Sequence, residues 1–117
     1  KGYIFQSTGK KYVVQQIMKY MEENYQEKIS LEQIAANMYL SSFYIAKIFK
    51  SETGDTPINY LIRLRMEKAK EILEISPEEP IKEVAAAVGY SDAYHFSKLF
   101  KKHYGISPLY YKKESFS

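Results

Sequence analysis

Residues 89–105 read G-Y-S-D-A-Y-H-F-S-K-L-F-K-K-H-Y-G, and residues 39–54 read Y-L-S-S-F-Y-I-A-K-I-F-K-S-E-T-G. Each stretch has the marks of a helix set between a capping residue (Ser91 or Asp92, and Ser41) and a glycine stop (Gly105, and Gly54). At about 100° per residue, Phe96, Leu99 and Phe100 form one apolar stripe. Tyr94, Lys98 and Lys101 fall opposite it, with Ser97 and Lys102 on the flanks. The earlier stretch repeats the arrangement, with Ile45, Ile48 and Phe49 as the stripe and Phe43, Lys47 and Lys50 opposite. One lysine face with an exposed aromatic is ordinary surface. The same face at matching positions of two copies asks for a functional reason.

The match extends outward. L-E-Q-I-A-A at 31–36 aligns with I-K-E-V-A-A at 81–86, I-A-K-I-F-K at 45–50 with F-S-K-L-F-K at 96–101, and G-D-T-P at 54–57 with G-I-S-P at 105–108. The offset grows from 50 to 51, so the second copy holds one extra residue near Asp92. Two copies are too few for a solenoid, which needs about three or more. Each copy is helix, short turn, helix, the shape of a helix-turn-helix.

The rest of the chain also reads as helix. Val13, Ile17, Tyr20 and Met21 recur at helical spacing over roughly 10–24. Ser30 and Gln33 resemble a capping box opening a short helix with Leu31, Ile34, Ala35 and Met38. Thr56 caps a long helix whose first residue is Pro57, with Ile58, Leu61, Ile62, Ala69, Ile72 and Leu73 on one side. Ser76-Pro77 and Pro80 interrupt, Pro80 opens a helix with Ile81, Val84, Ala85 and Val88 inward, and Ser107-Pro108 starts a last one. No alternating strand pattern appears. The expected fold is all-α, with two helix-turn-helix subdomains joined by a long bridging helix, about seven helices in all. Residues 1–9 read as a linker or expression remnant, 10–56 as the first subdomain, 57–75 as the bridging helix and 76–117 as the second subdomain.

At 117 residues the chain is one small domain or two very small subdomains, and 45% hydrophobic with 15% aromatic content argues for a folded one. Starting at Lys1, it reads as a piece of something longer. Having no cysteine excludes disulfides, thiolate ligands and a cysteine nucleophile, and fits a reducing cytoplasm. No apolar run approaches ~18 residues and no signal peptide is visible, so no membrane partner is expected. The net charge of +3 permits a nucleic-acid partner, and the placement of the lysines argues for one. His95 and His103 stand eight apart with no third ligand, so no metal site is expected, and His103 reads as structural. Glu78-Glu79, between prolines, reads as a solvated loop rather than an acid/base pair. With no phosphate-cradling glycine loop and no nucleophile–base pair, neither an enzyme nor a bound cofactor is expected.

An aromatic ring followed by lysine four residues on, near the start of a helix, suits a major groove. The ring can touch a thymine methyl, and lysine can reach guanine O6/N7 or a phosphate. With this doubled face in place, the chain resembles the C-terminal DNA-binding domain of the AraC/XylS family of bacterial transcription regulators, over about residues 10–113. The most specific part is V-G-Y-S-D-A-Y-H-F-S-K-L-F-K-K-H-Y-G-I-S-P, residues 88–108. The resemblance implies two recognition helices entering the major groove on one face of double-stranded promoter or operator DNA. It further implies RNA polymerase as a partner of the parent protein, and a monomeric isolated domain. Carried over by position, the base-reading places are Phe43, Ala46 and Lys47 in the first recognition helix, and Ala93, Tyr94, Ser97 and Lys98 in the second. Many relatives have arginine where Lys47 and Lys98 stand; lysine lacks the planar two-pronged contact, so weaker base discrimination is expected there. Ala46 offers only a methyl group.

Lys50, Lys101 and Lys102 are assigned mainly to phosphates, with His95 touching backbone from the side of the face. Ser41, Ser42, Ser91 and Thr53 could add phosphate hydrogen bonds, although capping explains the serines equally well. A helix N-terminus near a phosphate would help through its free N–H groups. A bridging helix over 57–75 would span about 27 Å at 1.5 Å per residue, against about 34 Å between successive major grooves on one DNA face. One chain could then do what a dimer usually does, on a site that need not be palindromic. Tyr39 stands where the second copy has Gly89; tyrosine resists positive φ, so the first turn is expected to be shaped differently. Arg63 and Arg65 are expected in core-edge ion pairs with Glu67 or Glu71, with an aid to DNA contact as the alternative. Two other functions compete: a helical module using the aromatic-lysine face on an acidic protein, and a remnant of a DNA-repair protein. The absence of cysteine speaks against alkyl transfer by the latter.

Overall fold

Capping chemistry sets where the helices start and stop in the computed structural model, which describes the backbone of residues 2–116 and the side chains of residues 9–114. The described residues form α1 (Gly2–Asn24), α2 (Leu31–Asn37), α3 (Ser42–Thr53), α4 (Pro57–Ile75), α5 (Ile81–Ala87), α6 (Ala93–Tyr104) and α7 (Pro108–Phe116), with no strand among them. Ser30 and Ser41 cap α2 and α3 by accepting from the Gln33 and Tyr44 amides, each at 3.1 Å. Thr56 and Ser107 do the same for α4 and α7, accepting from the Asn59 and Tyr110 amides, and the prolines that follow are both buried. Gly54 and Gly105 end α3 and α6 in the left-handed region, donating to the Lys50 and Lys101 carbonyls. The first helix begins at Gly2 rather than near residue 10.

Two compact units share these helices. One comprises the chain up to Asn24 with Ile29–Leu61; the other comprises Tyr25–Lys28 with the chain from Ile62 onward, so α4 starts in the first and continues in the second. The first unit buries Val14, Ile17 and Met21 of α1, Ile34 and Ala35 of α2, and Ile45, Ile48 and Phe49 of α3. The Phe49 ring meets Tyr60 edge-on at 5.5 Å. In the second unit Met66, Ala69 and Leu73 of α4 pack with Val84, Ala85, Val88, Phe96 and Phe100. The stripes expected on α3 and α6 are thus the core-facing sides, with Leu99 half-buried. Ile58, expected inward on α4, is half exposed. Tyr111 bonds Glu74, and Lys112 donates to the Glu79 carbonyl at 2.6 Å, closing α7 onto its unit.

The two turns correct an expectation. Tyr39 takes the left-handed conformation at φ 58°, as Gly89 does at 102°. The bonds agree as well: Tyr39 N–H donates to Ala36 and Leu40 N–H to Ala35, just as Gly89 donates to Ala86 and Tyr90 to Ala85. Tyrosine accepts the strain because its side chain points into solvent, 95% exposed. Space, more than φ, requires glycine in the second turn. A Cβ on Gly89 would stand 2.8 Å from the Tyr25 carbonyl oxygen and 3.0 Å from the Arg65 guanidinium carbon. Arg65 is likewise not in the expected pair with Glu67 or Glu71. It is buried, donating from Nε to the Tyr25 carbonyl at 2.9 Å and from Nη2 to the Glu27 carbonyl at 2.8 Å, with its guanidinium 5.1 Å from the Tyr90 ring centre.

Candidate nucleic-acid interface

Because Ile45, Ile48 and Phe49 point into one core and Phe96 and Phe100 into the other, the helical period turns the opposite sides of α3 and α6 to solvent. On α3 that side carries Phe43, 78% exposed, with Lys47 and Lys50; on α6 it carries Tyr94, 72% exposed, with Lys98 and Lys101. Ala46, Ser97, Ser42 and Ala93 are half-buried beside them, small enough to let another molecule approach the helix closely. Lys102 and His95 are exposed at the edges of the α6 face. Within each unit the structure therefore gathers the expected base-reading residues with their lysines on one accessible side. On α6 the Lys98 ammonium rests 5.1 Å from the Tyr94 ring centre, within cation–π range.

The helix starts are already occupied. Asp92, not Ser91, caps α6, its Oδ1 accepting from the Tyr94 and His95 amides at 2.9 and 3.2 Å. Ser91 is thereby identified as the extra residue of the second copy, exposed and outside the cap. With Ser41 holding the Tyr44 amide, neither recognition helix leaves its full set of N-terminal N–H groups free for a phosphate. The Thr53 hydroxyl donates to the Phe49 carbonyl at 2.7 Å and accepts from the Asp55 amide at 3.1 Å, so it is engaged at the far end of α3. Lys101, Lys102 and His103 sit in the last turn of α6, where the helix dipole favours cations, while Lys50 is the only basic residue in the last turn of α3.

No group of three His, Cys, Asp or Glu side chains that could hold a metal ion occurs among the described residues. His103 is exposed rather than turned toward the core, its ring edge-on to Tyr104 at 4.6 Å, and His95 meets Tyr90 edge-on at 5.7 Å. The Tyr104 hydroxyl is pushed above its ordinary pKa of 10.0 by burial first, and then by the carboxylates of Glu67, Glu74 and Glu71. No described helix is long and apolar enough to cross a membrane. Sequence reasoning missed the junction of Arg65, Tyr25–Lys28 and Gly89. The one available signal was the glycine in the second turn, read for its backbone freedom rather than for the space it leaves.

A family model described as a helix-turn-helix domain matches residues 34–114. The chain is similar to the C-terminal domain of AraT, a response regulator from Geobacillus stearothermophilus, with a TM-score of 0.84 and 35% identity over 87% of this chain and 84% of that one. It is also similar to an AraC-type DNA-binding regulator from Chromobacterium violaceum, with a TM-score of 0.81 and 26% identity over 92% and 96% of the two chains. A third similar structure is the DNA-binding domain of AdpA, a global transcriptional factor in complex with a target DNA, with a TM-score of 0.81 and 28% identity over 86% and 90%. The chain spans about a third of the length of the curated relatives it matches. Seven helices among the described residues, five of them opened by side-chain caps, two turns of one design and these matches lead to one conclusion: the chain belongs to the AraC-type family of helix-turn-helix DNA-binding domains of transcription regulators.

Proposed function

We propose that α3 and α6 each enter the major groove of duplex DNA and read bases there, at two half-sites one helical turn apart, as the sequence-specific arm of a bacterial transcription regulator. The observation that carries this reading is the duplicate face, an exposed aromatic with two lysines at matching positions of two capped helices in two units. Phe43, Ala46 and Lys47 are the readers on α3, and Ala93, Tyr94, Ser97 and Lys98 those on α6. Lys50, Lys101 and Lys102 hold phosphates, with Ser42, Ser91 and His95 beside them. Ser41 remains a cap, and Thr53 is left out because its hydroxyl is already engaged. The solved complex of the related AdpA domain with a target DNA supports duplex DNA as the partner.

The test is selection of bound duplexes from a random pool at about 150 mM salt, a range in which phosphate contacts alone are weak. Two short preferred motifs with centres about 10–10.5 base pairs apart are expected. A single enriched motif would leave one helix as a clamp only. No enrichment would overturn the reading and leave an acidic protein as the partner of the lysine faces.

A further inference from the structure

The connection between α1 and α2 is folded into the unit that carries α6. Arg65 holds the Tyr25 and Glu27 carbonyls, and Gly89 has no Cβ where one would collide with the Tyr25 carbonyl. This fixes Tyr25–Lys28 beside the second turn and leaves a cleft of about 400 Å³ lined by Gln26, Lys28, Ala86, Gly89, Tyr90 and Ser91. Its chemistry is one-sided. Lys28 is the only charged lining residue, Gln26 and Ser91 add an amide and a hydroxyl, and all three are exposed. Tyr90 also lines the cleft, its own hydroxyl buried with no hydrogen-bond partner. No carboxylate lines the cleft. Three exposed donor side chains, one of them a cation, ask for an anion with several acceptor oxygens. The cleft adjoins Ser91, the residue just before the α6 cap, so an anion seated there would flank whatever groove α6 enters.

We propose that this cleft is a phosphate site, and that Lys28 there grips one phosphate of the DNA backbone bordering the groove occupied by α6. The proposal rests on the DNA-reading function above. It assigns a role to a segment outside both helix-turn-helix copies and explains the extra residue of the second copy, since Ser91 is the hydroxyl that residue adds to the cleft wall. In the first unit the position matching Gly89 carries the Tyr39 side chain instead, so the two halves would grip the backbone differently.

The experiment measures affinity for a selected duplex against salt, for the unaltered chain, Lys28→Ala and Lys19→Ala. Lys28 and Lys19 are exposed, so both variants should fold, and melting by circular dichroism checks this. Lys28→Ala should make the log–log salt slope shallower by about 0.9, so that between 50 and 200 mM salt the variant loses about 3.5-fold less affinity than the unaltered chain. Preference among bases should not change. Single methylphosphonate substitutions along the backbone then locate the contact: one position should weaken the unaltered chain and have no effect on Lys28→Ala. If Lys28→Ala behaves like Lys19→Ala, or if every methylphosphonate effect adds to it independently, the phosphate site is overturned while the reading helices stand. If the unaltered chain selects no duplex, both proposals fall together.

Discussion

The ammonium of Lys98 lies on the Tyr94 ring, while the Lys101 ammonium makes no such aromatic contact, and the two lysines should differ accordingly when removed. Lys98→Ala, or Lys47→Ala on α3, should cost about 1–3 kcal/mol of binding and relax preference in one half of the site, as read by titrating duplexes with single base changes. Equal weakening on every sequence would remove the base-reading role. Lys50→Ala and Lys101→Ala should instead make the salt slope shallower by about one while leaving preference intact. Exposed positions were legible where the helical period alone decides, as at Phe43, Lys47, Tyr94 and Lys98. Availability was not legible where a local hydrogen bond decides it. Thr53 read as a phosphate partner, whereas its hydroxyl donates to the Phe49 carbonyl.

The two turns are the elements whose energetics can be separated. Left-handed φ at Tyr39 carries strain of about 1–2 kcal/mol, and glycine would lose about 0.5–1 kcal/mol through its freer unfolded chain. Tyr39→Gly should therefore stabilise the chain by about 0.5–1 kcal/mol in urea denaturation. Gly89→Ala meets both the φ penalty and the Tyr25 carbonyl, and should destabilise by about 1–3 kcal/mol; a neutral result would mean that Tyr25–Lys28 yields easily. On α6, the neutral Tyr104 phenol is favoured by burial and by the acidic side chains of α4. Its raised folded pKa means that this contribution is intact below the ordinary value of 10.0 and is lost as pH climbs through the raised one. Tyr104→Phe should accordingly show a smaller fall in stability under alkaline conditions. At this scale the sequence was most informative: serines, threonines, prolines and glycines mark helix ends by mechanisms that act within a few residues. The turn at Tyr39 was misjudged because propensity was weighed without asking where the side chain would go.

For the whole chain, α4 runs without a break from Pro57 to Ile75, and the proposed reading by α3 and α6 expects a selected site with one preferred motif spacing. Inserting about 5 base pairs, half a helical turn, between the two selected motifs should reduce affinity to that for a single motif. Undiminished binding would mean that the halves read DNA independently. The repeat and the all-α plan could be read from residues 31–57 and 81–108, since both rest on local pattern. The membership of Tyr25–Lys28 in the second unit could not, because it depends on contacts between residues about forty positions apart, which no periodicity records.

That crossing matters for anyone who wishes to exchange halves between regulators. The chain invites a cut ahead of α4, as though each helix-turn-helix were a cassette. A graft that carries only the later half would arrive without the carbonyls that hold Arg65, with a buried guanidinium exposed to mismatched surroundings and the second turn missing its cover. The transferable cassette is discontinuous: four residues from ahead of α2 must travel with everything after Leu61.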